Sequence, residues 1–270
     1  MEFYGLLGER LSHSISPDIH EEIFSILNIN GAYKIFEIEK NDICKFCDSL
    51  RLLKIKGINV TIPYKQVVMK YLDSISDEAR KIGAVNTINL KEGKLYGYNS
   101  DYFGFETIIK KYSVELDGKI AVVLGTGGAS KAVVTYILDK GIGKIYLVSR
   151  NHKNESYYKD DRVERITYEE IKKVKGDIII NTTPVGMYPK VGISPVDEEV
   201  IENFETLIDI IYNPRMTKFL DIGKKLNKKI CGGLEMLVGQ AIRSEEIWQE
   251  IEINDEVFNS VFSKIDGSFK

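Results

Sequence analysis

Apolar residues along this chain recur at two periods in turn. Short runs suited to strands cover 3–7, 33–38 and 57–62. Between them apolar positions fall three and four apart. Ile19, Ile23, Ile26 and Leu27 follow Ser16-Pro17, and Ile43, Phe46, Cys47 and Leu50 lie within 42–53. A third helical pattern spans 64–72. Runs at 84–90 and 94–99, joined by Lys91-Glu92-Gly93, predict a hairpin. From about residue 102 the alternation resumes, with strands expected at 120–124, 144–148, near 163–167, 177–181, 206–211 and 229–231. A last long helix at 234–251 carries Leu237, Ala241, Ile242 and Trp248 and is expected to fold back onto the first domain, before a short closing helix at 257–262. Strands alternating with helices give a two-domain α/β chain with mainly parallel sheets and an antiparallel hairpin. The boundaries read as 1–101, completed by about 235–270, and 102–234.

Composition narrows the function classes. Of the 270 residues, 43% are hydrophobic and 29% charged, which is enough apolar material to bury two cores. A formal net charge of -3 gives no footing for a nucleic-acid partner, and no apolar run reaches the length of a membrane span. The first residues carry an acid at position 2 and no basic, apolar leader, so no secretory signal is expected and the cytoplasm is the expected location. Cys44 and Cys47 form a C-x-x-C, but Cys47 falls on an apolar helical face and no second pair follows, so they read as packing cysteines and no metal site is expected.

The strand at 120–124 runs into Gly125-Thr126-Gly127-Gly128-Ala129-Ser130 and then into a helical pattern. Glycines there let a backbone approach a pyrophosphate, and the following helix offers free N–H groups; a tight turn without ligand uses the same residues. The next strand ends at Ser149-Arg150, followed by Asn151 and Lys153, with no acid at its tip. A guanidinium there suits a ribose 2′-phosphate, and a solvated arginine is the plainer alternative. Lys65 falls in the first turn after Asn59-Val60-Thr61-Ile62-Pro63, against the helix dipole, which marks either a functional amine or an exposed lysine. Asp101 and Ser100 open another helix and read equally as a site or as a cap. Ser16 reads as an N-cap before Pro17, which leaves Ser14 unexplained; two hydroxyls at a helix start also suit a carboxylate. Asn181-Thr182-Thr183-Pro184 follows a fully apolar strand, where ligands bind in parallel sheets, and Gln240 is the odd polar residue of the last long helix.

In this order, SHSISP, GINVTIPYK, IGAVNT, GYNSD, GTGGAS, VSRN, NTTPVGM, DIIYNP and GGLEMLVGQA closely resemble the shikimate dehydrogenase family, over residues 4 to about 243. The resemblance implies a substrate domain, a Rossmann-like doubly wound NADP domain and a cleft between them. It implies reversible reduction of 3-dehydroshikimate with NADPH in aromatic amino acid biosynthesis, and it admits a homodimer. Lys65 and Asp101 would be the catalytic pair, and Ser14 and Ser16 would hold the substrate carboxylate. Thr61, Asn86, Tyr212 and Gln240 would bind the ring or line its pocket. Gly125, Thr126, Gly127, Gly128 and Ala129 would take the pyrophosphate, and Ser149, Arg150, Asn151 and Lys153 the 2′-phosphate side. Ile210 and Gly233 would lie near the nicotinamide, and Asp77 matches an acidic position linked to cofactor. Ser100 stands where the family has Thr, and Ser149 and Asn151 where it has Asn and Thr. An NAD-dependent quinate/shikimate dehydrogenase, or a non-catalytic NADP-binding regulator on the same fold, are the alternative readings.

Overall fold

The computed structural model describes residues 1–11, 14–150 and 158–269. The chain divides into two compact units, one of residues 1–104 with 238–268 and one of residues 105–237. The first opens with β1 (Glu2–Gly8), α1 (Ser16–Leu27), β2 (Gly31–Glu37), α2 (Ile43–Leu52) and β3 (Gly57–Val60). β1 pairs parallel to both β2 and β3. Every residue of β3 is buried, as a strand covered on both faces requires. β4 (Ser74–Ile75), α3 (Asp77–Ile82), β5 (Thr87–Lys91) and β6 (Lys94–Tyr98) complete a sheet of order β2-β1-β3-β5-β6-β4. β5 runs antiparallel to β3 and β6. The hairpin turn is two residues long, Glu92 and Gly93, at φ 51 and 75°, one shorter than the sequence pattern indicated.

The helix expected at 64–72 is replaced by turns and a 3₁₀ segment, Val67–Tyr71. The Lys65 carbonyl accepts Val85 N–H at 2.8 Å, so Met69 N–H turns to Gln66 instead, at 3.4 Å. A partner 20 residues further along the chain has thus displaced the local helical bond.

The second unit begins within α4 (Ser100–Lys111), whose first residues belong to the first unit. It contains β7 (Ile120–Leu124), α5 (Gly128–Asp139), β8 (Lys144–Val148), β9 (Val163–Ile166), β10 (Ile178–Asn181), α6 (Glu198–Ile201), β11 (Thr206–Asp209), α7 (Lys218–Lys225) and β12 (Lys229–Cys231). The strands form one parallel sheet ordered β12-β11-β10-β7-β8-β9. The chain starts at β7, winds outward to β8 and β9, then returns to β10 on β7's other side. That doubly wound order puts its switch point at the carboxyl ends of β7 and β10. Val122, Leu124, Ile179, Leu207, Phe204 and Phe219 share one core beneath it.

α8 (Leu234–Gln249) re-enters the first unit from Val238, and α9 (Asp255–Ser268) packs on α1. α9 is longer than the closing helix expected at 257–262. Trp248 seals the core: its ring lies 5.1 Å from Tyr4, and its Nε1–H donates to Ile88 O at 2.9 Å. Beside it the buried His20 ring stacks on Tyr33 at 4.3 Å and meets Glu245 Oε1 at 2.5 Å. No helix among the described residues is long and apolar enough to cross a membrane.

Candidate active site

In the first unit the ends of several elements bring a polar cluster together. The main chain of Asn86 is fixed between strands: its N–H donates to Tyr98 O at 3.0 Å, and its carbonyl accepts Val60 N–H at 2.8 Å. Its side chain is buried, with Nδ2 donating to Asp101 Oδ1 at 2.8 Å and Oδ1 accepting Ser100 N–H at 2.6 Å. The second Asp101 oxygen receives the Lys65 ammonium at 2.5 Å. The two side chains remain 18% (Lys65) and 12% (Asp101) exposed, which leaves the ion pair reachable from solvent. Lys65 and Asp101 are 36 residues apart in the chain, and each is equivocal alone. The fold pairs them, so Asp101 is more than a helix-start acid and Lys65 more than a solvated lysine.

Thr61 is half-buried just after β3, its N–H donating to Leu7 O at 2.9 Å. Ser14 donates to Ser16 Oγ at 3.1 Å, and its oxygen accepts Ser16 N–H at 3.3 Å. The N-cap expected of Ser16 is not formed: Ile15 holds that position without a side-chain bond, and Ser16 is already helical. The Ser16 hydroxyl is therefore turned to Ser14 and is not engaged with its own helix. The Gln240 side chain accepts from Ser100 Oγ at 3.4 Å, so it too belongs to this cluster. Asp77 is exposed at the first residue of the six-residue α3, where a helix-start acid is expected.

In the second unit the glycine loop lies at the switch point. Gly125 adopts φ +101°, and a Cβ there would stand 2.9 Å from Thr183 Cγ2, so a larger residue is refused by both backbone and space. Gly127 and Gly128 face open space, where a Cβ would fill room next to the α5 N-terminus. The buried Ser130 hydroxyl closes the turn onto Gly125 O at 2.7 Å. Thr126 is exposed and Ala129 half-buried in the same turn. Partial burial lowers the Lys131 ammonium below its ordinary value one residue beyond the loop. Ser149 is half-buried with its N–H on Ile166 O at 3.1 Å, and Arg150 is exposed close to Tyr168. Asn151 and Lys153 lie outside the described residues.

The same unit carries Ile210, Tyr212 and Gly233. Gly233 is a close approach: a Cβ would lie 2.2 Å from Ile210 O. Tyr212 is half-buried, which raises its hydroxyl above the ordinary value. Their segment is anchored by Asp209, which the sequence reading passed over. It faces Asn181 across the β10–β11 register and accepts from Asn181 Nδ2 (3.1 Å), Ile211 N–H (3.1 Å) and Thr217 Oγ1 (2.7 Å). Burial pushes its carboxyl up to about 6. In the first unit Thr87 and Ser244 were likewise passed over. The available signal was a polar side chain closing or interrupting an apolar run. Among the described residues no group of His, Cys, Asp and Glu is placed to hold a metal ion.

The family model for the shikimate dehydrogenase substrate binding domain matches residues 6–88. The chain is 62% identical, over 100% of both chains, to the shikimate dehydrogenase (NADP(+)) of Clostridium beijerinckii. Among solved structures it is similar to shikimate dehydrogenase 1 from Peptoclostridium difficile, at 55% identity and TM-score 0.93, covering 100% of this chain and 99% of that one. It is also similar to shikimate 5-dehydrogenase from Thermus thermophilus in complex with NADP(H) and shikimate, at 27% identity and TM-score 0.84, with 98% and 99% covered.

Proposed function

The chain belongs to the shikimate dehydrogenase family, and from that premise we propose that it reduces 3-dehydroshikimate to shikimate reversibly with NADPH, using Lys65 and Asp101 as its catalytic pair. The observation that carries the assignment is the 2.5 Å ion pair between them, part-exposed and braced by Asn86. NADP supplies or accepts the hydride when bound. The fit of the second unit to that cofactor rests on the open space over Gly127 and Gly128 and the helix start beside it. Gly125 to Ala129 would hold the pyrophosphate, and Ser149 and Arg150 the 2′-phosphate, with Ile210 and Gly233 toward the nicotinamide. Asn151, Lys153 and Asp77 are carried as further cofactor contacts. The first unit is the substrate domain in this reading.

Reduction of a ketone builds negative charge on its oxygen, so the site must provide a cation or a proton there. Lys65 provides either from Nζ. Asp101 keeps the ammonium in place, and Asn86 keeps Asp101 from rotating. Ser14 and Ser16 take the carboxylate at the far side of the ring, and Thr61, Asn86 and Gln240 take its hydroxyls or line the pocket; Tyr212, in the second unit, is carried as a further substrate contact. Fixing both ends of a rigid ring lowers the barrier by orienting the reacting carbon. The test follows NADPH absorbance with 3-dehydroshikimate for the natural chain and for Lys65→Ala. Lys65→Ala should lower kcat by about 10²–10⁴-fold with a modest change in KM. A near-normal kcat would remove Lys65 from the chemistry.

A further inference from the structure

Behind Asn86 lies a buried hydroxyl cluster that the catalytic assignment leaves unexplained. Thr87 Oγ1 stands 3.0 Å from Ser244 Oγ and 3.1 Å from Ser100 Oγ, and the two serine oxygens are 3.3 Å apart. All three residues are at 0% exposure. They come from β5, from the first turn of α4 and from α8, which converge within one unit. A buried hydroxyl that is not bonded costs stability, and a core filled by alanine and valine would carry no such risk.

The direction of each bond follows from what the outer members can do. Burial and the nearby Glu245 hold the Tyr33 hydroxyl well above its ordinary value, so it stays protonated and donates to Asn59 Oδ1 at 2.8 Å. That turns Asn59 Nδ2 to Ser244, whose oxygen accepts it at 2.8 Å. Ser244 directs its own proton to the Gln240 carbonyl one turn earlier, at 2.9 Å. On the other side, Asn86 Oδ1 is held by Ser100 N–H, and the hydroxyls of Thr87 and Ser100 each reach it at 3.2 Å. Its amino group therefore faces Asp101. Ser100 Oγ also lies 3.4 Å from Gln240 Oε1, so its one proton is shared between the Asn86 and Gln240 side-chain carbonyls.

We propose that Thr87 and Ser244 are positioning residues for the reaction: the Thr87 hydroxyl holds Asn86 Oδ1, and Ser244, seated against Thr87 and Ser100, keeps those two hydroxyls in place, so that Asn86 stays in the orientation that aims Asp101 at Lys65. The inference rests on Lys65 and Asp101 being the catalytic pair. Neither Thr87 nor Ser244 touches the reacting atoms; Thr87 acts through Asn86, and Ser244 through Thr87 and Ser100.

The test uses steady-state kinetics on four variants of the full chain, with thermal unfolding measured alongside. Thr87→Val keeps the shape of threonine and removes its hydroxyl, whereas Thr87→Ser keeps the hydroxyl and removes a methyl. Thr87→Val and Ser244→Ala should each lower kcat about tenfold while KM for NADPH stays within about twofold. Thr87→Ser should return kcat to near the natural value. The reverse ranking, with Thr87→Val active and Thr87→Ser impaired, makes the position a packing site and overturns the proposal, as does an unchanged kcat in both Thr87→Val and Ser244→Ala. Lys65→Ala reports separately on the catalytic pair: normal turnover there removes the premise, whereas its loss together with active Thr87→Val and Ser244→Ala removes only the positioning role.

Discussion

Each unit sets an asparagine amide against an aspartate, and the two pairings do different work. In the first unit Asp101 takes the Asn86 amide on one oxygen and the Lys65 ammonium on the other, and keeps an opening to solvent. In the second, Asp209 takes the Asn181 amide, a main-chain N–H and a hydroxyl, with both residues fully buried. No cation among the described residues pairs with it. The consequence is electrostatic: burial pushes Asp209 up to about 6 although all three hydrogen bonds pull the other way. A carboxylate with a cation and an opening can hold and release a proton carrier. One wrapped in dipoles ties strands β10 and β11 to the segment that follows them. In the proposed reading, partner and access, not residue type, separate the two aspartates.

The comparison is broken most directly by the same conservative change at both places. Asp101→Asn should lower kcat by about 10²–10³-fold, since the amide no longer balances the Lys65 ammonium, with little change in unfolding temperature. Asp209→Asn should leave kcat close to the natural value. Similar losses of turnover in the two variants would mean that the clusters do not differ in kind.

The next test concerns stability and pH. The folded Asp209 carboxyl, at about 6, lies above its ordinary 3.8, so the native state binds this proton more tightly than the unfolded chain does. Its contribution to stability is therefore complete below about pH 4 and is lost as pH rises through about 6. A difference of about two pH units corresponds to roughly 3 kcal/mol. Measured by urea unfolding against Asp209→Asn, the natural chain should lose up to roughly that amount between about pH 4 and pH 7. Parallel curves for the two proteins would show that folding does not raise the Asp209 carboxyl above its ordinary value.

How far the sequence reaches depends on the range of the interactions concerned. β7, β8 and β12 are legible to the residue, because the ends of each are marked locally. The segment after Pro63 is misread because its helical bond is taken by Val85, a partner outside any local window. α6 and α7 go unread, the one being only four residues long. The glycine loop is visible as a pattern, but Lys65 and Asp101 are equivocal singly, and only nine motifs in order give them roles. Asp209, Thr87 and Ser244 are missed because each is one polar residue in an apolar setting, and only the fold shows which others it meets. The cap reading of Ser16 fails because the residue that holds that position, Ile15, is marked only by its backbone angles.

If Asp209 is a brace, ligand recognition in the second unit must come from groups that remain accessible, and Arg150 is the charged candidate. It is exposed at the end of β8, just past Ser149, while no acid occupies the strand tip. An acid there would favour the ribose hydroxyl of NAD; a guanidinium favours the phosphate of NADP by a charge-assisted bond. Arg150→Ala should therefore raise KM for NADPH about tenfold and leave KM for NADH within about twofold, with kcat at saturation little changed. Equal effects on the two nucleotides would place the discrimination elsewhere, in Ser149 or in the residues that follow Arg150. Such a result would leave the contrast between Asp101 and Asp209 intact, because that contrast rests on burial and pairing and not on which nucleotide the second unit prefers.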